Sequence, residues 1–404
     1  MRRLLFWSST GLLVYTYLLF PLLVLLRAAL RPRPHRSEET TPHVTLAISA
    51  HNEAAGIRAK LENVLSLDYP EDRLEVVIAS DGSDDGTDEI VREYAGRGVR
   101  LVSLPRVGKA AALNAAVAEA RGEILAFSDA NSIYAHDALR ALVGPFADPT
   151  VGGVAGDQRY VSRDGADAVA SGEQRYWDLD RLLKASESRA GNVISATGAI
   201  YAVRRSLFRP VPPGVTDDFF TSTGVIAQGF RLVFAEDAVA YEPVAKKSEV
   251  EWGRKVRVMT RGLRAVVLRR ELLDPRRTGF YAPQLLTHKV LRRTMVFPLA
   301  AVAATSPLLW RRGRVYRAAT LAQAAFYGLG ASGLLLRGTP AGRRKVLVLP
   351  AFFCFVNAAS VRAVWNVLRR HQIDRWEPQR PSPAADEHGE PSLPPSPTAS
   401  EGRG

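Results

Sequence analysis

Cysteine is almost absent from this 404-residue chain, whose single thiol, Cys354, lies inside an apolar run. One thiol excludes an internal disulfide framework and a cysteine-rich metal site. Acidic residues are also in the minority, 41 against 54 Lys and Arg, which gives a formal net charge of +13. Because no basic helix or aromatic-interleaved basic stripe stands alone, the charge does not favour nucleic-acid binding.

Much of the basic excess flanks apolar runs, a pattern typical of membrane flanks that face anionic lipid. These basic residues are Arg27, Arg31, Arg33, Arg36, Arg292, Arg293, Arg311, Arg312, Arg314, Arg343, Arg344, Lys345, Arg369 and Arg370. The first run, from Leu4 to Leu30, contains one charge and is long enough to span a bilayer. A cleaved signal peptide is the alternative, but the run exceeds a usual signal core and lacks a clear cleavage site. We therefore expect residues 1–30 to form an N-terminal transmembrane anchor.

The last part of the chain differs in composition from the middle. Residues 281–370 contain an amphipathic segment followed by apolar runs at 295–310, 318–336 and 346–367. They predict an interfacial helix and two to three transmembrane helices, with a re-entrant or interfacial helix as the alternative for the short first run. Residues 371–404 are rich in Pro, Ser, Glu and Arg, which predicts a disordered tail.

Residues 44–280, which follow a polar, proline-containing linker at 31–43, alternate between strand and helix patterns. Strands are predicted at 44–50, 74–80, 99–104 and 123–128, and helices at 53–67, 87–96 and 109–120. Such alternation predicts βαβ crossovers and an α/β domain with a mainly parallel sheet. Ligands bind beyond the carboxyl ends of the strands in such sheets. Here those ends are residues 50–53, 81–87, 105–109 and 129–132.

The acidic loop SDGSDDGTDE, residues 80–89, lies at one of these strand ends. Its first half matches a calcium-binding loop, but position twelve is Arg92, where a bidentate Glu is required, so that site is excluded. A solvated turn whose Asp and Ser residues cap the next helix is the remaining structural alternative to a ligand site.

Two further strand ends contain residues suited to a phosphate ligand. Lys109 opens the predicted helix within GKAAALNAA, where a cation opposes the helix dipole and therefore suggests an anionic ligand. The GxxxxGK phosphate loop is absent, and a surface lysine is the alternative. In FSDANS, Asp129 and Asn131 stand at alternate positions, so that both can face a divalent cation; an ordinary strand-ending Asp is the alternative.

Taken in order, these segments resemble the signature of family-2 glycosyltransferases across roughly residues 44–260. The segments are ISAHNEAAGI, ENVLSLDYP, SDGSDDGT, GKAAALNAA and DAN. The resemblance implies a GT-A fold, a nucleotide-diphosphate sugar donor, with a UDP-sugar expected, and Mg²⁺ or Mn²⁺ as cofactor. It implies that Asp81 contacts the nucleotide, that Lys109 lies beside it, and that Asp129 and Asn131 bind the metal. Glu53 is a further donor-binding candidate.

The resemblance extends into the second half of the domain. SATGAIYAVRR, residues 195–205, is similar to the glycine-containing segment beside the transferred sugar, which points to Thr197 and Gly198. VTDDFF, residues 215–220, matches the family's TED motif, whose final Asp is the general base, so the resemblance assigns that role to Asp218 and places Asp217 beside the sugar or acceptor. A helix N-terminus occupied by acids is the structural alternative.

The sequence departs from the family pattern at two places. Asn131 replaces the last Asp of the DxD motif, which lowers the charge of the metal site. The region WGRKVRVMTRG lacks the Gln and Trp of the QxxRW motif found in processive members. Arg254 and Arg257 remain candidates for holding diphosphate or acceptor, with a lipid-facing basic helix as the alternative.

The sequence therefore predicts a membrane-bound inverting glycosyltransferase of a bacterial plasma membrane, with a cytoplasmic catalytic domain. Its expected partners are a nucleotide-sugar donor, a glycan or lipid-linked acceptor and membrane lipid, and not nucleic acid. Two alternatives stay open: a membrane-anchored sugar- or nucleotide-binding protein without catalysis, and a processive polysaccharide synthase that also exports its product.

Overall fold

The computed structural model describes residues 1–161, 180–243 and 248–371. Within these ranges an eight-stranded sheet has the order β3-β2-β1-β4-β7-β6-β8-β5. The strands are β1 (Val44–Ala50), β2 (Leu74–Asp81), β3 (Val99–Leu104), β4 (Ile124–Asp129), β5 (Ile133–Tyr134), β6 (Val151–Val161), β7 (Tyr201–Arg204) and β8 (Arg231–Pro243). Four neighbouring pairs are parallel and three, all involving β5 or β7, are antiparallel. The prediction of an α/β domain with a mainly parallel sheet is confirmed.

The helices of the described ranges lie on both faces of the sheet and at both ends of the chain. They are α1 (Arg2–Leu30), α2 (Ala54–Leu65), α3 (Thr87–Glu93), α4 (Lys109–Ala118), α5 (Ala138–Val143), α6 (180–190), α7 (Asp217–Ala227), α8 (Ser248–Leu268), α9 (Pro275–Thr278), α10 (281–294), α11 (Val296–Leu308), α12 (Arg314–Leu335) and α13 (Lys345–Leu368). The middle of α10 is the π-helical turn Leu286–Leu291.

The predicted strand bounds agree with the structure to within one residue, whereas the predicted helices are too long at their carboxyl ends. The helix predicted at 87–96 ends at Glu93. A 3-10 turn follows and leads to Gly98, whose φ of 81° reverses the chain at no steric cost. The pattern of apolar residues continues through this turn, so it gives no signal of the helix end.

The two faces of the central sheet are both buried, which explains the continuous apolar run in β1. On one face Leu46 and Ile48 pack with Ile57 and Leu61 of α2. On the other face Ala47 packs with the alanine-rich side of α4. A sheet that is covered by helices on both sides cannot have strands with one polar face. The ligand-binding side chains are therefore confined to the strand ends.

Two helices of the described residues are long and apolar enough to cross a membrane, α1 near the N-terminus and α13 near the C-terminus. The short helix α11 and the longer α12 do not meet both conditions, so the expectation of two to three C-terminal spans remains a prediction with one supporting helix. The bounds predicted for the domains also remain predictions. The predicted disordered tail lies outside the described residues, apart from His371.

Both of these helices are attached to the rest of the chain by specific contacts. In α1, the Trp7 indole donates to the Tyr316 hydroxyl over 3.1 Å, and the Arg27 guanidinium donates to the carbonyl of Ala190 over 3.3 Å. In α13, Asn366 donates to Thr260 of α8 over 3.3 Å. Helix α8, which follows the last strand, therefore connects the sheet domain to α13.

Candidate active site

Three of the residues singled out in the sequence meet at one edge of the sheet. The ammonium of Lys109, in the first turn of α4, lies 2.7 Å from a carboxylate oxygen of Asp129 at the end of β4. It also lies 3.2 Å from a carboxylate oxygen of Asp217 in the first turn of α7. Residues separated by more than 100 positions thus form one ion-pair cluster.

The charges of this cluster are fixed by their mutual contacts. Burial alone would lower the pKa of Lys109, but the carboxylates of Asp129 and Asp217 raise it well above its usual value. Lys109 is therefore a permanent cation, and its side chain is only 20% exposed. A cation between two carboxylates at a helix N-terminus is suited to a ligand that carries both phosphates and a metal ion.

Asp81, at the end of β2, is 1% exposed, and its carboxylate is directed at the loop before α4. It accepts hydrogen bonds from the backbone N–H groups of Val107 and Gly108 over 2.6 and 2.8 Å, and from the Arg106 guanidinium. The contacts give Asp81 a positioning role, because they hold the loop that presents Lys109. Its contact with a nucleotide remains a prediction.

The predicted sugar segment lies directly against Asp129. A Cβ atom at Gly198 would lie 2.7 Å from a carboxylate oxygen of Asp129, closer than side chains normally approach, so any larger residue would displace this carboxylate. The neighbouring Thr197 pairs with Ile200 in an isolated bridge. Its buried hydroxyl has no hydrogen-bond partner among the described residues. The structure thus places Thr197 and Gly198 beside the metal candidate.

Asn131, the second metal candidate, is bound to a carboxylate that no sequence motif indicates. Its amide nitrogen donates to Glu242 at the end of β8 over 3.1 Å, and Gln158 donates to the same carboxylate. Burial raises the pKa of Glu242, and so does the charge of Asp129. Glu242 belongs to no motif and reaches the site because β5, which begins two residues after Asn131, pairs with β8.

The candidate metal ligands suit a cation that also binds the diphosphate better than a cation bound by protein ligands alone. Across the described ranges, no group of three or more His, Cys, Asp or Glu side chains is arranged to hold a metal. Magnesium in phosphate sites commonly takes one or two protein carboxylates, and phosphate oxygens and water complete its shell. Asp129 supplies such a carboxylate, with Asn131 two residues away.

Asp218 lies beside Asp217 at the start of α7, where the helix dipole favours acids. One of its carboxylate oxygens accepts the backbone N–H of Phe219 over 2.7 Å. Burial and the neighbouring Asp217 raise the pKa of Asp218 to about 6, while Lys109 and Lys289 oppose the shift. A half-buried carboxylate with such a pKa is suited to accept a proton near neutral pH.

The remaining predicted residues lie around this centre. Arg254 of α8 is hydrogen-bonded to the Tyr160 hydroxyl, and its charge acts on Glu242, so it lies at the metal side of the site. Arg257 lies on the same helix and also interacts with other residues of the chain. Glu53 is 3% exposed, and its backbone N–H donates to Thr87 over 2.8 Å, which ties the loop after β1 to the acidic loop.

Lys60 is a second residue that the sequence interpretation missed. It is fully buried behind Asp129, donates to the Ser128 hydroxyl over 2.7 Å and to the Ser132 carbonyl over 2.6 Å. Burial lowers the pKa of Lys60 to about 7, although Asp129 opposes this shift. Lys60 therefore supports the loop that carries Asp129. Its position three residues after Ile57, on the apolar face of α2, was the available signal.

Comparisons with known proteins find similarity to glycosyltransferases. Residues 45–211 match the family model described as Glycosyl transferase family 2. A probable glycosyltransferase of Bacillus subtilis, YdaM, is 26% identical over 254 residues, which are 59% of each chain. A poly-beta-1,6-N-acetyl-D-glucosamine synthase of Staphylococcus epidermidis is 29% identical over 207 residues, or 50% of this chain and 48% of its own. The match thus spans about half to three-fifths of the length of these relatives.

A solved structure covers more of the chain. The mannosyltransferase of Pyrobaculum calidifontis, determined in complex with GDP-Man and Mn²⁺, has a TM-score of 0.68 at 27% identity. The match covers 91% of this chain and 100% of that chain. Together with the ordered motifs and the sheet topology, it establishes the GT-A-like fold. The predicted family-2 glycosyltransferase signature is thereby confirmed, with residues 45–211 as the matched region.

Proposed function

We propose that this protein is a membrane-bound inverting glycosyltransferase that moves a sugar from a nucleotide-diphosphate sugar to a hydroxyl of a glycan or lipid-linked acceptor. The observation that carries the proposal is the cluster of Lys109 with Asp129 and Asp217, adjacent to a half-buried Asp218. It combines, at one strand edge, a cation for phosphate, a carboxylate for metal and a carboxylate for proton transfer.

The donor diphosphate would lie at the N-terminus of α4, where the backbone N–H groups and Lys109 favour negative charge. Asp129 and Asn131 are the residues that would hold a divalent cation. When bound, that cation neutralises charge on the departing diphosphate. Thr197 and Gly198, which lie against Asp129, would then face the transferred sugar.

Asp218 would act as the general base. It takes the proton of the acceptor hydroxyl while the hydroxyl oxygen forms its bond to the anomeric carbon. The bond from that carbon to the diphosphate oxygen breaks, and the diphosphate leaves with the electron pair. Attack from the face opposite the leaving group inverts the anomeric configuration.

We further propose that α1 and α13 anchor the protein in a bacterial plasma membrane, with the catalytic domain on the cytoplasmic side. Their length and apolar character support this placement. The four arginines between residues 27 and 36 agree with a cytoplasmic flank after α1.

The pH dependence of the transfer should report Asp218. Below the pKa of about 6 the carboxylate is protonated and cannot accept a proton, so kcat/KM should fall about tenfold per pH unit. Above that pKa the rate should reach a plateau. Because Asp217 raises the pKa of Asp218, Asp217→Asn should move the acid limb to lower pH. An acid limb that Asp217→Asn leaves unmoved would contradict the assignment.

The donor and the metal can be tested together. Purified full-length protein is incubated with a panel of UDP-sugars and GDP-mannose, and release of nucleoside diphosphate is measured with Mn²⁺, with Mg²⁺ and after chelation. We expect release from at least one donor and a loss of about two orders of magnitude on chelation. Nucleotide-sugar binding that needs no metal, without turnover of any donor, would instead support a binding protein. Product length then separates single transfer from polymerisation.

A further inference from the structure

A cavity of about 390 Å³ lies between α8, α10 and α13. Its wall is mostly apolar and includes Leu263, Val266, Val290 and Val364, together with Thr294 and the exposed Arg270. Its volume falls in the range of roughly 300–1,000 Å³ that is usual for small-molecule pockets. The ion-pair cluster at the strand ends does not use this cavity.

The mouth of the cavity lies at the end of a helix that is long enough to cross a membrane. Val267 and Leu368, which belong to the cavity wall, are 58% and 73% exposed. Leu368 ends α13, and Arg369 and Arg370 follow it. Exposed apolar side chains beside arginines are typical of a surface that meets the polar boundary of a bilayer. An apolar chain could therefore enter the cavity from the lipid.

Arg293, which lies along α10 between the lining residues Val290 and Thr294, has unused hydrogen-bonding capacity. Arg293 of α10 inserts into a gap in α8 at Gly262, where a Cβ atom would lie 2.6 Å from its Nη1. That buried Nη1 has no hydrogen-bond partner among the described residues. Burial lowers the pKa of Arg293 to about 10, and the charge of Asp218 opposes this shift. A buried guanidinium with an unpaired donor is a site for an anionic oxygen.

Helix α10 contributes both to the cavity wall and to the positive charges near Asp218. Val290 and Thr294 line the cavity, whereas Arg293 and Lys289, one turn apart, act on Asp218. Leu263 of α8 lines the cavity directly after Gly262, the residue against which Arg293 packs. The Lys289 ammonium lies 5.1 Å from the ring centroid of Phe219, the residue after Asp218, so the charged side of α10 lies beside the proposed base.

We propose that the acceptor is an anionic amphiphile whose apolar chain occupies this cavity, whose acidic group binds Arg293, and whose hydroxyl is presented to Asp218. The inference rests on the proposed function, because it names the acceptor class for the same reaction centre. A soluble glycan would leave the cavity unused, and a neutral lipid would leave the buried Arg293 donor unpaired.

Binding of simple probes tests the proposal without knowledge of the natural acceptor. The full-length protein in non-ionic maltoside micelles is titrated with dodecyl phosphate, dodecanol and inorganic phosphate. We expect dodecyl phosphate to bind at least about tenfold more tightly than either of the other two, because only it engages both the cavity and Arg293. Equal affinity for dodecyl phosphate and dodecanol would overturn the role of Arg293. Equal affinity for dodecyl phosphate and inorganic phosphate would overturn the role of the cavity.

Two variants and one control locate the probe. Val267→Trp, at the exposed mouth, should obstruct the cavity and weaken dodecyl phosphate binding about tenfold, and Arg293→Gln should reduce it to the level of dodecanol. Val315→Trp, at a position that is 54% exposed on α12, should change nothing. Thermal unfolding of each variant verifies the fold, and Val367→Trp replaces Val267→Trp if the latter unfolds. Unchanged binding in a folded mouth variant would place the chain elsewhere and refute the proposal.

The experiments distinguish failure of the acceptor proposal from failure of the proposed glycosyltransferase function. Donor turnover with no preference for dodecyl phosphate would refute the amphiphilic acceptor and leave the glycosyltransferase in place. Absence of turnover with every donor would refute the enzyme, whatever the probes show.

Discussion

Asp218→Asn is expected to lower the rate of sugar transfer by about three orders of magnitude, while the affinity for the donor stays within about twofold of the wild type. The amide has the size of the carboxylate but cannot accept the proton of an attacking hydroxyl. Asp218 forms no ion pair with Lys109, whose partners are Asp129 and Asp217. The substitution should therefore leave the nucleotide side of the site intact.

The control for this substitution is Asp237→Asn, which makes the same chemical change at an exposed position of β8. It should leave both transfer and donor affinity unchanged. Steady-state transfer rates and equilibrium donor binding, measured on the same preparations, separate the two effects. If Asp218→Asn retained a tenth or more of the wild-type rate, the proton would be taken by another group.

Lys109→Met is expected to lower kcat/KM by about two orders of magnitude, because it removes the cation that would face the diphosphate. It also leaves the carboxylates of Asp129 and Asp217 without their shared partner. Lys109 lowers the pKa of Asp218, so its removal should also move the acid limb of the pH profile above pH 6. A residue with only a packing role would not move that limb.

The charge-conserving variant Lys109→Arg is the matched control for Lys109→Met. It keeps a positive charge near Asp218, so the acid limb should stay close to pH 6 even if the longer side chain lowers the rate. Complete pH profiles of the two variants and the wild type provide the comparison. An acid limb at the same pH in all three proteins would contradict the electrostatic link between Lys109 and Asp218.

The arrangement of the nucleotide half could be predicted because it depends on local patterns. Alternating strands and helices place their loops at one edge of a parallel sheet, so Lys109 and Asp129 had to lie near each other. The antiparallel strand β7, which pairs with β4, was not predicted. It places Gly198 against Asp129, whereas the family resemblance implied only that this segment lies beside the transferred sugar.

The contacts that sequence reasoning missed all join elements that are distant along the chain. Glu242 binds Asn131 across 111 positions, and Lys60 binds Ser128 across 68. Asp81, whose contact with the nucleotide remains a prediction, also accepts hydrogen bonds from the backbone of residues 107 and 108. Such contacts depend on which loops the folded sheet brings together, and the spacing of apolar residues along the sequence does not indicate them. Arg293 was counted only as a membrane-flanking charge, because its insertion at Gly262 requires the packing of α10 on α8.

The anomeric configuration of the first transfer product tests the central claim most directly. After the donor screen identifies a substrate, NMR spectroscopy of the purified product gives the configuration at the transferred anomeric carbon. A single displacement assisted by Asp218 predicts inversion, so that a donor with an α-linked sugar yields a β-linked product. A product that retains the configuration of the donor would contradict the assignment of Asp218 as the general base of a single displacement.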